Sequence, residues 1–451
     1  MQIRKLLTCL LIGMAFSVQG NAADTKVIVI KDATLIDGTG TLPIGRTDIV
    51  IKGNNIVAVG KGFEGAEKST VIDASGLTVM PGLIDMHTHP TFEVLMEKPK
   101  LPFPDPATMV SNDAEMQEFI GSRLPERLNR FLKGGVTTVV SAGSYWPYET
   151  SIRDRIAAGN LAGPRMLVAS PIFTAPGGHP ASGICSGERW CVERLSFEVA
   201  DAASARAGVR RFAADGAQAI KLVYDSFDKT YLGGPDFDFP RLDQGVMRAI
   251  VEEANEVGLP VLAHTKTVDE TVDAVKAGID ALVHSALMEN DQFTTADGEY
   301  LPKLVADHDL SVTTTIRAFH ERLFGATADR QDLLQRNFSL VGASLRAYTD
   351  AGAVLMFGTD YDGAGIDSDP ADAVRSEARA LVAAGFSELE VIAMATGNAR
   401  KHPIIPDALG SIALGNIADI LILAENPLED ITAITRPLIV IKEGRIIVDN
   451  R

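Results

Sequence analysis

The sequence predicts an α/β fold, a (β/α)8 TIM-like barrel with a small β-sandwich domain built from both chain ends. Eight β-rich apolar runs alternate with helical patterns through the middle of the chain, at residues 82–87, 137–142, 165–169, 219–224, 260–264, 281–284, 310–315 and 354–359. Both ends are all-β. A doubly wound open sheet is the alternative, but it needs a Gly-rich phosphate loop after its first strand, and none is present.

Each element has its local reason. Residues 27–30 and 34–36 read as short strands, and 48–51 and 56–59 form a hairpin around Gly53-Asn54-Asn55. At the other end, residues 417–423, 438–441 and 446–448 are strands, the last two joined by a Glu443-Gly444 turn. Between the barrel strands, residues 205–214 place Ala205, Val209, Phe212 and Ala213 on one helical face. A helix over 246–257 follows Asp243 as N-cap, and 340–348 and 371–384 are helical. The expected organisation is a signal peptide over 1–22, sandwich segments over 23–81 and 404–451, and the barrel over 82–403.

Composition narrows the partners. Among 451 residues, 42 Lys and Arg face 59 Asp and Glu, and a net charge of −17 argues against a nucleic-acid or anionic membrane partner. The expected partner is a small-molecule substrate, and a homo-oligomer is an admissible assembly. Arg4 and Lys5 precede an apolar run over 6–18, and Gly20-Asn21-Ala22 supplies a small-residue cut site, the pattern of a secretory signal peptide. Thirteen residues are too few to span a bilayer, which takes about 20. A secreted or periplasmic protein without a stable membrane anchor is expected. In an oxidising compartment Cys185 and Cys191 most simply form a disulfide; soft metal binding is the alternative, although two cysteines make half a structural zinc site.

The chemistry lies at the strand ends. His87-Thr88-His89 closes the first barrel strand, and residues two apart on a strand point the same way, so both imidazoles can reach one metal ion. Lys221 lies on the fourth run, His264 ends the fifth, His284 the sixth, and Asp360 follows the eighth. C-terminal strand ends form the mouth of a barrel, so these six residues converge there.

Pro81-Gly82-Leu83-Ile84-Asp85-Met86-His87-Thr88-His89 resembles the first-strand motif of the amidohydrolase superfamily, and Gly358-Thr359-Asp360 resembles its eighth-strand motif. Gly410-Ser411-Ile412 and Gly415-Asn416-Ile417-Ala418-Asp419-Ile420 resemble its return to the sandwich. Lysine on strand four is similar to the binuclear, imidodipeptidase-like (Xaa-Pro dipeptidase-type) members. The resemblance implies two divalent metal ions, usually zinc, bridged by a CO2-derived carbamate on Lys221. His87, His89 and Asp360 would hold one ion, and His264 and His284 the other. A lysine ammonium only donates hydrogen bonds, whereas a buried neutral amine can add CO2 and offer two oxygens. The implied reaction is hydrolysis of a peptide-like or N-acyl amide by a metal-bridging hydroxide, with Asp360 moving the proton.

His179, in Gly177-Gly178-His179, is implied by the same resemblance to touch the scissile carbonyl, and is the second catalytic candidate. Tyr224 and Arg317 are candidate substrate contacts, although Tyr224 lies on the opposite side of an ideal strand from Lys221. Arg317 and His320 are equally readable as loop residues. Tyr145, Trp146 and Trp190 could line an apolar pocket, and His308 and His402 read as structural or surface groups. Two departures from the peptidase pattern leave the substrate open: Ser141-Ala142-Gly143 replaces the Arg-Asp common after strand two, and Tyr224-Asp225-Ser226 lacks a Gly-Gly. A lactone or ester hydrolase with the same site is the rival. A mononuclear deaminase would need no Lys221 and would place a glutamate where Thr267 stands, and a scaffold that had lost its metals would lack ligands.

Overall fold

A computed structural model describes residues 26–65, 68–92, 109–225, 239–284, 300–317, 328–363 and 369–451. The signal-peptide segment over 1–22 and His320 lie outside the described residues. No helix of the described residues is long and apolar enough to cross a membrane.

Five strands precede the barrel: β1 (Val27–Leu35), β2 (Ile44–Lys52), β3 (Asn55–Gly60), β4 (Thr70–Asp73) and β5 (Thr78–Pro81). The eight barrel strands are β6 (Leu83–Thr88), β7 (Val136–Ser141), β8 (Arg165–Val168), β11 (Ile220–Val223), β12 (Val261–His264), β13 (Ala281–Leu282), β14 (Ser311–Thr313) and β15 (Val354–Met356). They coincide with the eight expected runs to within a few residues. Neighbouring barrel strands pair in parallel. Single bridges from Ala169 to Ala219 and from Thr88 to Tyr361 join the two hydrogen-bonded arcs into a closed ring. Between β8 and β11 the chain adds β9 (Ile172–Thr174) and β10 (Ser196–Glu198), paired in parallel where the sequence reads as loop. Phe173 of β9 and Phe197 of β10 hold this extension by packing edge-on against Phe212 and each other.

Three more strands, β16 (Ile420–Leu423), β17 (Pro437–Lys442) and β18 (Arg445–Asp449), follow the barrel and join β1–β5 in one eight-stranded sheet ordered β18-β17-β16-β5-β1-β2-β3, with β4 on β1. Residues 27–30 and 34–35 belong to one strand, β1, because a register shift between Ile30 and Ala33 absorbs an extra residue; the strand ends before Ile36. Asp32 in this bulge has φ +57°, and its N–H donates to Asp48 Oδ1 at 3.0 Å. The bulge switches the inward positions from Ile28 and Ile30 to Ala33 and Leu35, keeping all four in the sandwich core. Strand β16 is buried throughout for a different reason. Ile420 and Ile422 face the sandwich core, while Leu421 and Leu423 face the barrel core.

Arg165 at the start of β8 ties the two bodies together. Its guanidinium reaches Asp419 Oδ2 at 2.6 Å and Glu443 Oε1 at 2.7 Å. Inside the barrel, Ile84, Met86, Val140, Leu167, Ala219, Leu262, Ala281 and Met356 form one buried cluster, and Ile404, Ile405 and Leu409 from beyond the last barrel helix join it. Apolar layers thus fill the barrel below its mouth. The helix expected after Asp243 spans Gln244–Glu256, with Asp243 as its N-cap. The others span Ala202–Ala214, Ala328–Asp350 and Pro370–Ala383.

Candidate metal centre and active site

A bulge aims the two histidines of the first strand. Between Asp85 and Thr88, β6 carries one residue more than β7, since Asp85 pairs with Val139 and Thr88 with Ser141. Ile84 and Met86 face the apolar interior; after the extra residue, the positions facing inward become His87 and His89. Thr88 turns the other way and donates its hydroxyl to the Val140 carbonyl at 3.0 Å. Both imidazoles meet Asp360, whose Oδ1 lies 3.3 Å from His87 Nε2 and 3.3 Å from His89 Nε2. Donor atoms of these three residues all lie within 4.8 Å of one another, close enough to share one cation. Gly358 permits the approach, since a Cβ there would lie 2.2 Å from Thr313 Cγ2 and 3.0 Å from His87 Cβ.

The remaining ligand candidates stand beside this group. The His284 ring centre lies 4.6 Å from that of His87, at a tilt, and 4.6 Å from that of His264, edge-on, and so links the two. Lys221 shares the inward side of β11 with Ala219, and is 2% exposed. Burial lowers its ammonium to about 7, opposed by the Asp360 charge. Burial also pushes His87 and His284 well below the ordinary imidazole range. Asp360 is held well below the usual carboxylate range: burial opposes this, but His87, the hydrogen bond from His89 and His284 outweigh it.

Each ring but one has a nitrogen engaged from behind. His89 Nδ1–H donates to the Gly143 carbonyl. His264 Nε2–H donates to Asp225 Oδ2 at 3.0 Å, which makes Nδ1 the atom it would present to an ion. His284 Nδ1 meets Thr315 Oγ1 at 3.0 Å. The exception is His87, whose buried Nδ1 has no hydrogen-bond partner among the described residues. Metal-binding histidines are commonly held this way, with the outer nitrogen fixing tautomer and ring orientation. Four imidazoles, a carboxylate and a buried lysine form a donor set that fits divalent cations once deprotonated.

His179 is buried on the His264 side, with ring centres 6.3 Å apart. Burial, reinforced by His264, lowers it to about 3. The glycine before it is required, because a Cβ at Gly178 would lie 2.3 Å from Thr174 Oγ1 and 2.7 Å from the Pro240 carbonyl. Tyr224 and Arg317 are directed elsewhere. Tyr224 points outward, as strand alternation requires, donates to Asp273 Oδ2 at 3.1 Å and lies under the Arg241 guanidinium. Arg317 donates from Nε to the Thr359 carbonyl and from Nη2 to the Asp360 carbonyl at 3.2 Å. Tyr145 is fully buried, between Phe92 and Trp190. Cys185 and Cys191 are joined by a disulfide.

Sequence reading passed over four buried carboxylates behind the ligands. Asp85 accepts from the N–H groups of His87 at 3.2 Å and Thr359 at 3.0 Å, and from the Thr359 hydroxyl at 2.7 Å. Glu149 accepts from Thr91 and Ser141, Asp225 holds His264, and Glu377 holds the turn after β14. Asp85 lies inside the motif quoted for the first strand, which was a signal available; the other three have no local pattern.

The Amidohydrolase family model matches residues 78–447 of the chain. Ochratoxinase of Aspergillus niger is 25% identical over 446 residues, covering 92% of this chain and 84% of that protein. N-acyl-D-aspartate deacylase of Alcaligenes xylosoxydans xylosoxydans is 45% identical over 74 residues, 16% of this chain, and the match spans only 14% of that relative's length. A solved Xaa-Pro dipeptidase with methionine bound in its active site superposes with a TM-score of 0.73 at 26% identity, covering 93% of this chain and 99% of that one.

Proposed function

The chain belongs to the amidohydrolase family, and from that premise we propose that it is a hydrolase that cleaves the amide bond of a small peptide-like or N-acyl compound with the help of two divalent metal ions, zinc by preference. The observation that carries the proposal is the meeting of His87, His89 and Asp360 donors within 4.8 Å, beside a buried lysine and a second histidine pair. The likeness to a dipeptidase and a deacylase supports the amide reading.

His87, His89 and Asp360 would hold one ion, and His264 and His284 the other. Such ions, when bound, acidify a water towards neutrality and polarise a carbonyl. Lys221 contributes by its burial: as a neutral amine it attacks CO2, forms an N–C bond, releases a proton and becomes a carbamate with two oxygens to share. Asp360 accepts the proton of the attacking water and returns it to the leaving nitrogen, a role worth typically about 10²–10⁴-fold. His179, neutral and next to the His264 side, orients the substrate carbonyl. Arg317 supports the site from behind through the Thr359 and Asp360 carbonyls. Export to a secreted or periplasmic location is part of the proposal, and the Cys185–Cys191 bond supports it.

The test is a screen of purified, zinc-loaded protein against dipeptides, N-acyl amino acids and lactones. Hydrolysis of an amide is expected; turnover of lactones alone would overturn the amide assignment.

A further inference from the structure

One acid on the far side of the barrel wall touches no ligand, yet stands behind two of them. Glu377 lies in the helix Pro370–Ala383 and is completely buried. Its Oε1 accepts the Thr314 hydroxyl and the Ile316 N–H at 3.2 Å, and its Oε2 accepts the Arg317 N–H at 2.7 Å. These three donors flank Thr315, which has φ +45°. A β-branched residue in the left-handed region is strained and keeps that conformation only when its neighbours are held.

Both outputs of this turn reach the metal centre. The Thr315 hydroxyl lies 3.0 Å from His284 Nδ1. The Arg317 guanidinium donates to the carbonyls of Thr359 and Asp360, where Asp360 itself has φ +52°. His284 belongs to one proposed ion and Asp360 to the other. We infer that Glu377 is a positioning residue for both ligand groups, setting His284 through Thr315 and Asp360 through Arg317. The inference rests on the metal reading given above. An ionised carboxylate suits the task because it is acceptor-only and can take three donors at once, and these three donors oppose the upward push of burial on Glu377; an amide would turn a donor towards one of them.

The experiment compares wild type, Glu377→Gln and Thr315→Val for zinc content and for zinc affinity against competing chelators. Apo-protein Tm and circular dichroism are read alongside. Supporting partners of metal ligands are typically worth about 10–100-fold in affinity. Glu377→Gln is expected to lose that much for both ions, and Thr315→Val for one, with the apo fold retained. Two ions bound by Glu377→Gln with wild-type affinity overturn the inference, as does a lowered apo Tm with zinc affinity unchanged. Should Glu377→Gln fail to fold, Thr315→Val carries the test, because it leaves the carboxylate's hydrogen bonds in place; unchanged affinity there overturns the inference. Absence of zinc from wild type would instead overturn the metal reading itself.

Discussion

Asp360 Oδ1 lies 3.3 Å from His87 Nε2, so the segment after the last barrel strand and the end of the first meet at the point where the ring closes. The backbones interlock there as well: the Asp360 N–H donates to the His87 carbonyl at 2.8 Å, and the His89 N–H to the Tyr361 carbonyl at 2.6 Å. The junction that closes the barrel therefore also brings together His87, His89 and Asp360.

Asp360→Asn tests the proton role at that junction. The amide keeps the shape, and the backbone interlock does not depend on the side chain, so the fold should persist while kcat falls by about 10²-fold or more. Unchanged kcat in steady-state kinetics would assign proton transfer to another group.

Much of this arrangement is legible in the sequence. The strand-end placement of His87, His89, Lys221, His264, His284 and Asp360 follows from eight apolar runs and period-two alternation, and the structure brings all six to one end of the barrel. Alternation also anticipates the outward direction of Tyr224. The bulge in β6 is not legible, because an extra residue in one strand exists only relative to its partner β7. The Arg317 contacts are equally hidden, since they go to backbone carbonyls more than 40 positions away. Glu149, Asp225 and Glu377 act on partners that only folding brings near, and a lone acid in a helix or loop reads as a solvated residue.

The Cys185–Cys191 bond predicts a local effect. It closes a loop of sequence separation six just beyond His179-Pro180, and Cys191 lies in the first turn of the helix Arg189–Leu195 that also carries Trp190. Trp190 Nε1 donates to Asp113 Oδ1 at 2.8 Å and its ring packs at a tilt against Tyr145, so the bond braces the segment around Trp190. Replacing both cysteines by serine should lower stability by roughly 2–3 kcal/mol at most and change KM more than Tm. Native, unreduced protein should show no free thiol in a thiol titration; two titratable thiols would contradict the bond, and a large Tm loss with unchanged KM would contradict the bracing role.

His402 supplies a pH prediction remote from the metal centre. It is buried at the closed end of the barrel, where its Nδ1 accepts the Ile404 N–H at 3.1 Å, and burial lowers it from 6.5 to about 4. The folded state therefore favours the neutral ring. Its contribution is fully present above pH 6.5 and is lost as the pH falls through about 4, reaching an order of about 3 kcal/mol. His402→Asn keeps an acceptor for Ile404 and should flatten the decline between those two pH values in denaturant unfolding. Identical slopes in wild type and variant would contradict the assignment.

Metal content, measured by mass spectrometry on wild type and Lys221→Ala purified in zinc and bicarbonate, tests the central claim most directly. About two ions per wild-type chain are expected, falling below one in Lys221→Ala together with activity, and partly restored by acetate or propionate in the place of the carbamate. Two ions and full activity in Lys221→Ala, or fewer than two in wild type, would contradict a binuclear centre bridged by Lys221.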